Sequence, residues 1–123
     1  MRQIHSVGVD IVEIERIQGA IDRFGEKFLD RIFTEAELKL FRRRTEALAV
    51  RFSGKEAVMK TLGVKFLPWK DIEILPDSRG KPYVYLHRKA KARSDELNLS
   101  EIAISLSHSR EYAVASTVAE ILE

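Results

Sequence analysis

Ser6-Val7-Gly8-Val9-Asp10-Ile11-Val12, continued by Glu13-Ile14-Glu15-Arg16-Ile17 and on to Phe24-Gly25, changes its hydrophobic period partway along. Over residues 6–12 apolar side chains alternate with small or polar ones, the period of a strand, and Asp10 falls near its C-terminal end. Ile14, Ile17, Ile21 and Phe24 then recur at 3–4–3 spacing, which predicts an amphipathic helix ended near Gly25. Thr34-Glu35-Ala36-Glu37 has the spacing of a capping box and predicts a second helix through Leu38 and Phe41. A longer helix is expected from about Glu46 to Leu62, with Gly63 placed to terminate it. Past a loop containing Pro68 and Trp69, Asp71 to Leu75 reads as a strand and Asp77 to Pro82 as a turn. Tyr83 to Leu86 returns as a second strand, and Lys89 to Leu97 suits a short basic helix. Ile102–Leu106 and Tyr112–Val118 are two further strands joined by Ser107-His108-Ser109-Arg110-Glu111. Segregated helices and paired hairpins predict an α+β fold, antiparallel strands with helices packed on one side.

The chain has 123 residues, of which 45% are hydrophobic, enough for one core but not for two. With no repeat, linker or low-complexity tract, residues 1–123 are expected to form a single domain. The absence of cysteine excludes disulfides, thiolate metal sites and cysteine nucleophiles. No run approaches the roughly 18 apolar residues of a membrane span, and Met1–His5 lacks the apolar stretch of a signal peptide, so a cytoplasmic location is expected. The net charge is only +2, yet the positive charges cluster: Lys39, Arg42, Arg43, Arg44 and Arg51, then Arg88, Lys89, Lys91 and Arg93. Such clusters attract polyanions, or are simply solvated faces.

Three groups look out of place chemically. On the long helix, at about 100° per residue, Leu48, Phe52, Met59 and Leu62 share one apolar stripe. Lys55 falls inside that stripe, and Glu56 lies on its shoulder with Lys60 one turn further on. Glu56 and Lys60 form either an ordinary i, i+4 ion pair or a carboxylate and an ammonium at the rim of a cleft. Asp10, close to the core, either caps the following helix or joins Glu56 as a second hard oxygen ligand, the kind that suits Mg²⁺. Ser107-His108-Ser109, with Arg110, could grip a phosphate or merely form a turn; His5 and His87 read as exposed turn histidines. No G-x-S-x-G elbow, G-x-G-x-x-G or phosphate-loop motif is present.

Together these stretches resemble the small holo-acyl-carrier-protein synthases of the phosphopantetheinyl transferase superfamily. Gly8-Val9-Asp10-Ile11-Val12-Glu13-Ile14-Glu15-Arg16-Ile17 is similar to that family's opening G-x-D-I-x-E-x-x-R-I. Arg51-Phe52-Ser53-Gly54-Lys55-Glu56-Ala57-Val58-Met59-Lys60-Thr61-Leu62-Gly63 is similar to its R-F-x-x-K-E-A-x-x-K-x-x-G helix. Gly80-Lys81-Pro82 matches the hairpin turn, and Ile104–Ser109 followed by Glu111-Tyr112-Ala113 the closing strands. The four motifs occur in order across nearly the whole chain. One departure is that Gly63 is followed by Val64-Lys65 where many members have Gly-Thr-Gly, which leaves Lys65 as a substitute point charge for phosphate.

The resemblance implies transfer of 4′-phosphopantetheine from coenzyme A to a serine of apo acyl carrier protein, releasing 3′,5′-ADP, in support of fatty acid biosynthesis. It implies that Asp10 and Glu56 bind Mg²⁺ and that Glu56 and Lys60 are catalytic, Lys60 beside the leaving phosphate. Either Glu56 or a water molecule would take the serine proton. Lys55, Gly63, Gly80, Lys81, Pro82, Ser107, His108 and Ser109 would contact coenzyme A, with Lys55 free to pair with Glu56 instead. Members of this size are trimers with the cofactor between subunits, so Ser107–Ser109 would come from a neighbour. Arg16, Arg23, Lys27 and Arg31 become candidates for docking the acidic carrier. A nucleic-acid-binding module is the main rival; against it, aromatic residues do not interleave with the basic clusters as a stacking platform requires.

Overall fold

The computed structural model describes residues 4–122. The strand read at 6–12 runs as β1, His5–Glu13, and passes directly into helix α1, Ile14–Phe24. Gly25, at φ +56, ends α1 by donating to the Ile21 carbonyl, and its own carbonyl accepts from Leu29 N. A further short helix, α2 (Glu26–Ile32), therefore starts where the sequence suggested a stop. Its apolar positions are too few to announce a helix; burial of Leu29 and Ile32 against α3 and α4 holds it. The expected capping box opens α3, Glu35–Phe41: Glu37 N donates to Thr34 Oγ1 at 3.2 Å, and Thr34 N to Glu37 Oε1 at 2.8 Å.

Helix α4, Thr45–Thr61, is the centre of the molecule rather than an amphipathic surface helix. Past its first turn every residue is buried except Phe52, Glu56 and Lys60, which are four apart and so form one open row. Gly63, at φ +67, closes it as expected. A 3₁₀ turn at Trp69–Asp71 leads to the hairpin of β2 (Ile72–Pro76) and β3 (Pro82–Leu86). Asp77 Oδ1 organises the turn by accepting from Arg79 N and Lys81 N. Helix α5, Arg88–Leu97, follows, then β4 (Ala103–His108) and β5 (Tyr112–Glu120).

The two sheets are antiparallel throughout, one of order β1-β5-β4 and the other the β2-β3 hairpin, so the α+β class holds. One face of the three-stranded sheet carries α4. Gly8 permits the approach: a Cβ there would lie 2.1 Å from the Ala57 carbonyl oxygen. Thr117 Oγ1 bridges the same gap, donating to Ala57 O at 3.1 Å and meeting Thr61 Oγ1 at 2.6 Å. The opposite face is bare, with Val7 68%, Val9 59% and Ile11 63% exposed beside Val118. An apolar strip of that kind on a sheet is unusual for a surface facing only water. Among the described residues no helix is long and apolar enough to cross a membrane.

Candidate active site

The site is built from the β1-to-α1 junction and the open row of α4. Asp10 pairs in register with Ala115 in mid-sheet, three residues before the Glu13 N-cap of α1, so it caps no helix. Its side chain points to the α4 side with those of Ser6 and Val12. There Asp10, Arg16, Ile17, Ala20, Phe28, Phe52 and Glu56 line a cleft of about 370 Å³. Lys60 stands beside Asp10, its ammonium 2.7 Å from Val9 O and 3.5 Å from Asp10 Oδ1. Lys60 thus pairs with Asp10. Phe52 forms the floor and stacks on Trp69 with ring centroids 5.0 Å apart.

Half-burial, and then the nearby Asp10 carboxylate, push the Glu56 carboxyl above the usual range, with Lys60 pulling the other way. A desolvated carboxylate facing a second one favours a cation between them. Among the described residues no third carboxylate or histidine joins the pair. Two carboxylates beside an open cleft fit Mg²⁺, which takes one or two and completes its octahedron with phosphate oxygens and water. They fit poorly with zinc, which is held by three or four protein ligands.

Lys55 requires a correction. It is 0% exposed, reaches neither the cleft nor Glu56, and pairs instead with Glu37 at 2.7 Å. Its ammonium also donates to Ile32 O at 2.9 Å, Ile72 O at 2.7 Å and Trp69 O at 3.3 Å. One residue along a helix is about 100° of rotation, so a neighbour of Glu56 faces elsewhere. Burial lowers the Lys55 pKa and the Glu37 carboxylate opposes that; with only acceptors around it, the group is an ammonium. Arg51, read as part of a basic surface cluster, is also buried, stacked on Phe41 at 3.7 Å and donating to Ile74 O. Desolvation pushes it down to about 10. His87 is half-buried and bonded to Glu73 at 3.1 Å, not an exposed turn residue.

The remaining candidates lie outside the cleft of their own chain. Gly63 is at the exposed C-terminal end of α4, followed by exposed Lys65. Gly80 is at the hairpin tip with φ +87, and Lys81 and Pro82 border a separate hollow with Glu101 and Ile104. Ser107, His108 and Ser109 end β4, two strands away from Asp10 across β5, and all three are exposed. Ser109 Oγ accepts from Glu111 N and Tyr112 N and so shapes that turn. Arg23, Lys27 and Arg31 are exposed on α1 and α2, and of the four basic residues only Arg16 lines the cleft. Sequence reasoning missed Phe52, Phe28 and Ala20 as cleft wall. Phe52 carried a signal, since it precedes Glu56 by one helical turn.

Comparison with known proteins bears on this arrangement. The family model of the 4′-phosphopantetheinyl transferase superfamily matches residues 6–117. The chain is 46% identical over 121 residues to the holo-[acyl-carrier-protein] synthase of Alkaliphilus oremlandii, covering 94% of this chain and 98% of that protein. Among solved structures, the Helicobacter pylori holo-[acyl-carrier-protein] synthase in complex with coenzyme A superimposes with a TM-score of 0.84. It is 33% identical, over 92% of this chain and 98% of that one. The Bacillus anthracis synthase in complex with CoA (3′,5′-ADP) gives a TM-score of 0.80 at 34% identity, over 98% and 100% of the two chains. With a matched fold, near-complete coverage, Asp10 and Glu56 on one cleft and Lys60 paired to Asp10, the chain belongs to the holo-[acyl-carrier-protein] synthase family of 4′-phosphopantetheinyl transferases.

Proposed function

We propose that this enzyme transfers the 4′-phosphopantetheine group of coenzyme A to a serine hydroxyl of apo acyl carrier protein, releasing 3′,5′-ADP, in an Mg²⁺-dependent reaction. The observation that carries the reading is the convergence of Asp10 and Glu56, from two distant segments, on one cleft, with Lys60 paired to Asp10 beside it. Asp10 and Glu56 would hold the ion. When bound, it would neutralise the diphosphate and polarise the phosphorus under attack. The serine oxygen forms a bond to the β-phosphorus while the bond to the bridging oxygen breaks, and that electron pair leaves with 3′,5′-ADP. Lys60, more than half exposed beside Asp10, supplies positive charge where the departing phosphate gains negative charge. The serine proton passes to Glu56 or to a water molecule.

Arg16 lines the cleft directly, and Arg23, Lys27 and Arg31 extend positive charge from it, which favours an acidic carrier docking over α1 and α2. Ser107, His108 and Ser109, with Gly80, Lys81 and Pro82, are assigned to the cofactor site of an adjoining subunit in a homotrimer. Gly63 and Lys65 are assigned to the phosphate end of the cofactor. The bare strip of Val7, Val9, Ile11 and Val118 supports the assembly, since association would bury it. The enzyme is placed in the cytoplasm, where it would supply holo carrier for fatty acid synthesis. The test is to incubate the protein with coenzyme A, Mg²⁺ and apo carrier and read the carrier's mass. A gain of one phosphopantetheine, abolished by chelation, is expected; an unmodified carrier would sink the reading.

A further inference from the structure

We propose that the buried Lys55–Glu37 pair is a positioning device: it holds α4 at the rotation that presents Glu56 to the metal and to coenzyme A. The inference rests on the transferase reading above, but its observations are separate. Lys55 and Glu37 are both fully buried, and neither touches the cleft.

Every polar atom of the pair is hydrogen-bonded, and the partners come from several elements. Lys55 Nζ binds Ile32 O at the end of α2, Trp69 O in the 3₁₀ turn and Ile72 O in β2. Glu37 Oε1 takes Lys55 Nζ and Thr34 N, while Oε2 takes Ile74 N at 2.8 Å. Four segments, α2, α3, the 3₁₀ turn and β2, are therefore tied to α4 at one residue, and the next residue is Glu56. A buried apolar residue there would hold α4 by packing alone, with no fixed partner. Hydrogen bonds in several directions resist rotation strongly, because turning the helix breaks them together.

The lever arm makes this matter. Side chains lie roughly 5–6 Å from a helix axis, so a turn of about 10° moves the Glu56 carboxylate by about 1 Å. Displacements of that size cost on the order of 100-fold in rate when they misplace a reacting group. Asp10 is held independently by β1, so rotation of α4 alone would spoil the spacing between the two carboxylates. Phe52 shares the consequence. It stacks on Trp69, whose carbonyl Lys55 binds, so the cleft floor and Glu56 would shift together.

A pair that serves stability alone makes a different prediction. Replacing a buried ion pair by neutral groups of similar volume generally restores stability. The experiment compares wild type with Lys55→Met, Glu37→Gln and the double variant E37Q/K55M. Three quantities are read: melting temperature, Mn²⁺ affinity by calorimetry with coenzyme A present, and kcat and KM for transfer to carrier. Each single variant is expected to melt well below wild type. The double variant is expected to melt above the worse single variant but below wild type, since three backbone carbonyls lose their donor, yet to bind Mn²⁺ about tenfold more weakly and lose tenfold or more in kcat. Its KM for carrier should stay within twofold, because the docking face is untouched. A double variant that regains wild-type Mn²⁺ affinity and kcat along with its stability would overturn the proposal. Should it not fold, Glu37→Asp keeps both charges but draws the carboxylate back by one methylene. About threefold weaker Mn²⁺ binding supports the proposal, and unchanged binding in a folded E37D overturns it. Wild-type protein that neither transfers nor binds Mn²⁺ with coenzyme A would remove the transferase reading itself, a result distinct from any of these.

Discussion

Replacing Gly8 by alanine tests whether the fold and the site depend on the same close contact. Gly8 sits on β1 two residues before Asp10 and faces α4 with it. The added methyl would lie 2.1 Å from Ala57 O and 2.8 Å from Thr117 Oγ1, while real Cβ contacts do not fall below 3.0 Å. The nearer of the two, the Ala57 carbonyl, is backbone and cannot swing aside. Strand and helix must therefore separate by roughly 1 Å, a form of overpacking that costs about 1–3 kcal/mol. Separation also stretches the Thr117-to-Ala57 hydrogen bond, now 3.1 Å, worth about 1 kcal/mol more. For a chain of this length the sum corresponds to a fall in Tm of roughly 10 °C. The same movement draws Asp10 away from Glu56, and a 1 Å error of this kind costs on the order of 100-fold in kcat. Thermal melts followed by circular dichroism and the carrier-transfer assay read the two effects. Gly19→Ala is the control, since a methyl there meets nothing within 4 Å. Removing a helix-interior glycine at an unstrained position should raise stability by about 0.4–1 kcal/mol. If Gly8→Ala melts within about 2 °C of wild type and transfers at full rate, the contact between β1 and α4 is not what aligns the carboxylates.

Three further outcomes are expected. Metal-free Glu56→Gln should melt above wild type at neutral pH, because the raised pKa of Glu56 marks a carboxylate that is less favourable folded than unfolded. That cost is present above the folded pKa and vanishes as pH falls through it to the ordinary glutamate range, so melts at pH 4 should coincide; a gap that widens on acidification would contradict the assignment. Lys60→Ala should lose on the order of 100-fold in kcat with little change in Tm, since its 3.5 Å pair with Asp10 is largely exposed and such pairs contribute at most about 1 kcal/mol. A large loss of stability in place of activity would make Lys60 structural. Val9→Glu, on the bare sheet face, should convert an oligomer to monomer in analytical ultracentrifugation and abolish transfer while leaving the circular dichroism spectrum intact; a wild-type chain that is monomeric and active would remove the shared-site assignment.

Local patterns announced most of the elements because their causes are local. The capping box at Thr34 and Glu37 is a matter of four residues, and it forms as written. The hairpin turn is organised by Asp77 and Gly80 alone. Where the reading went astray, a distant partner decided the outcome. Helix α2 exists because Leu29 and Ile32 find α3 and α4 to pack on, not because residues 26–32 are strongly helical by pattern. The stripe of Leu48, Phe52, Met59 and Leu62 suggested one buried side for α4, whereas the sheet, the hairpin and α3 enclose it nearly all round. The resemblance set Lys55 against coenzyme A or Glu56, and nothing in its neighbourhood hinted at Glu37, eighteen residues earlier, with which it pairs. Asp10 could have been a cap, and only its register opposite Ala115 shows that it is not.

Residue types and their order alone established the α+β class and every strand and α-helix but α2, and they singled out a short set of groups as candidates for chemistry. Backbone propensity, turn chemistry and motif order are all written within a few residues of where they act. Tertiary structure decided which of two adjacent charges on α4 faces the cleft and which is sealed in the core. Helical rotation sets their angular separation, but only the placement of the sheet, α3 and the hairpin around the helix determines which direction is open, and that sum of distant contacts is legible in no single segment.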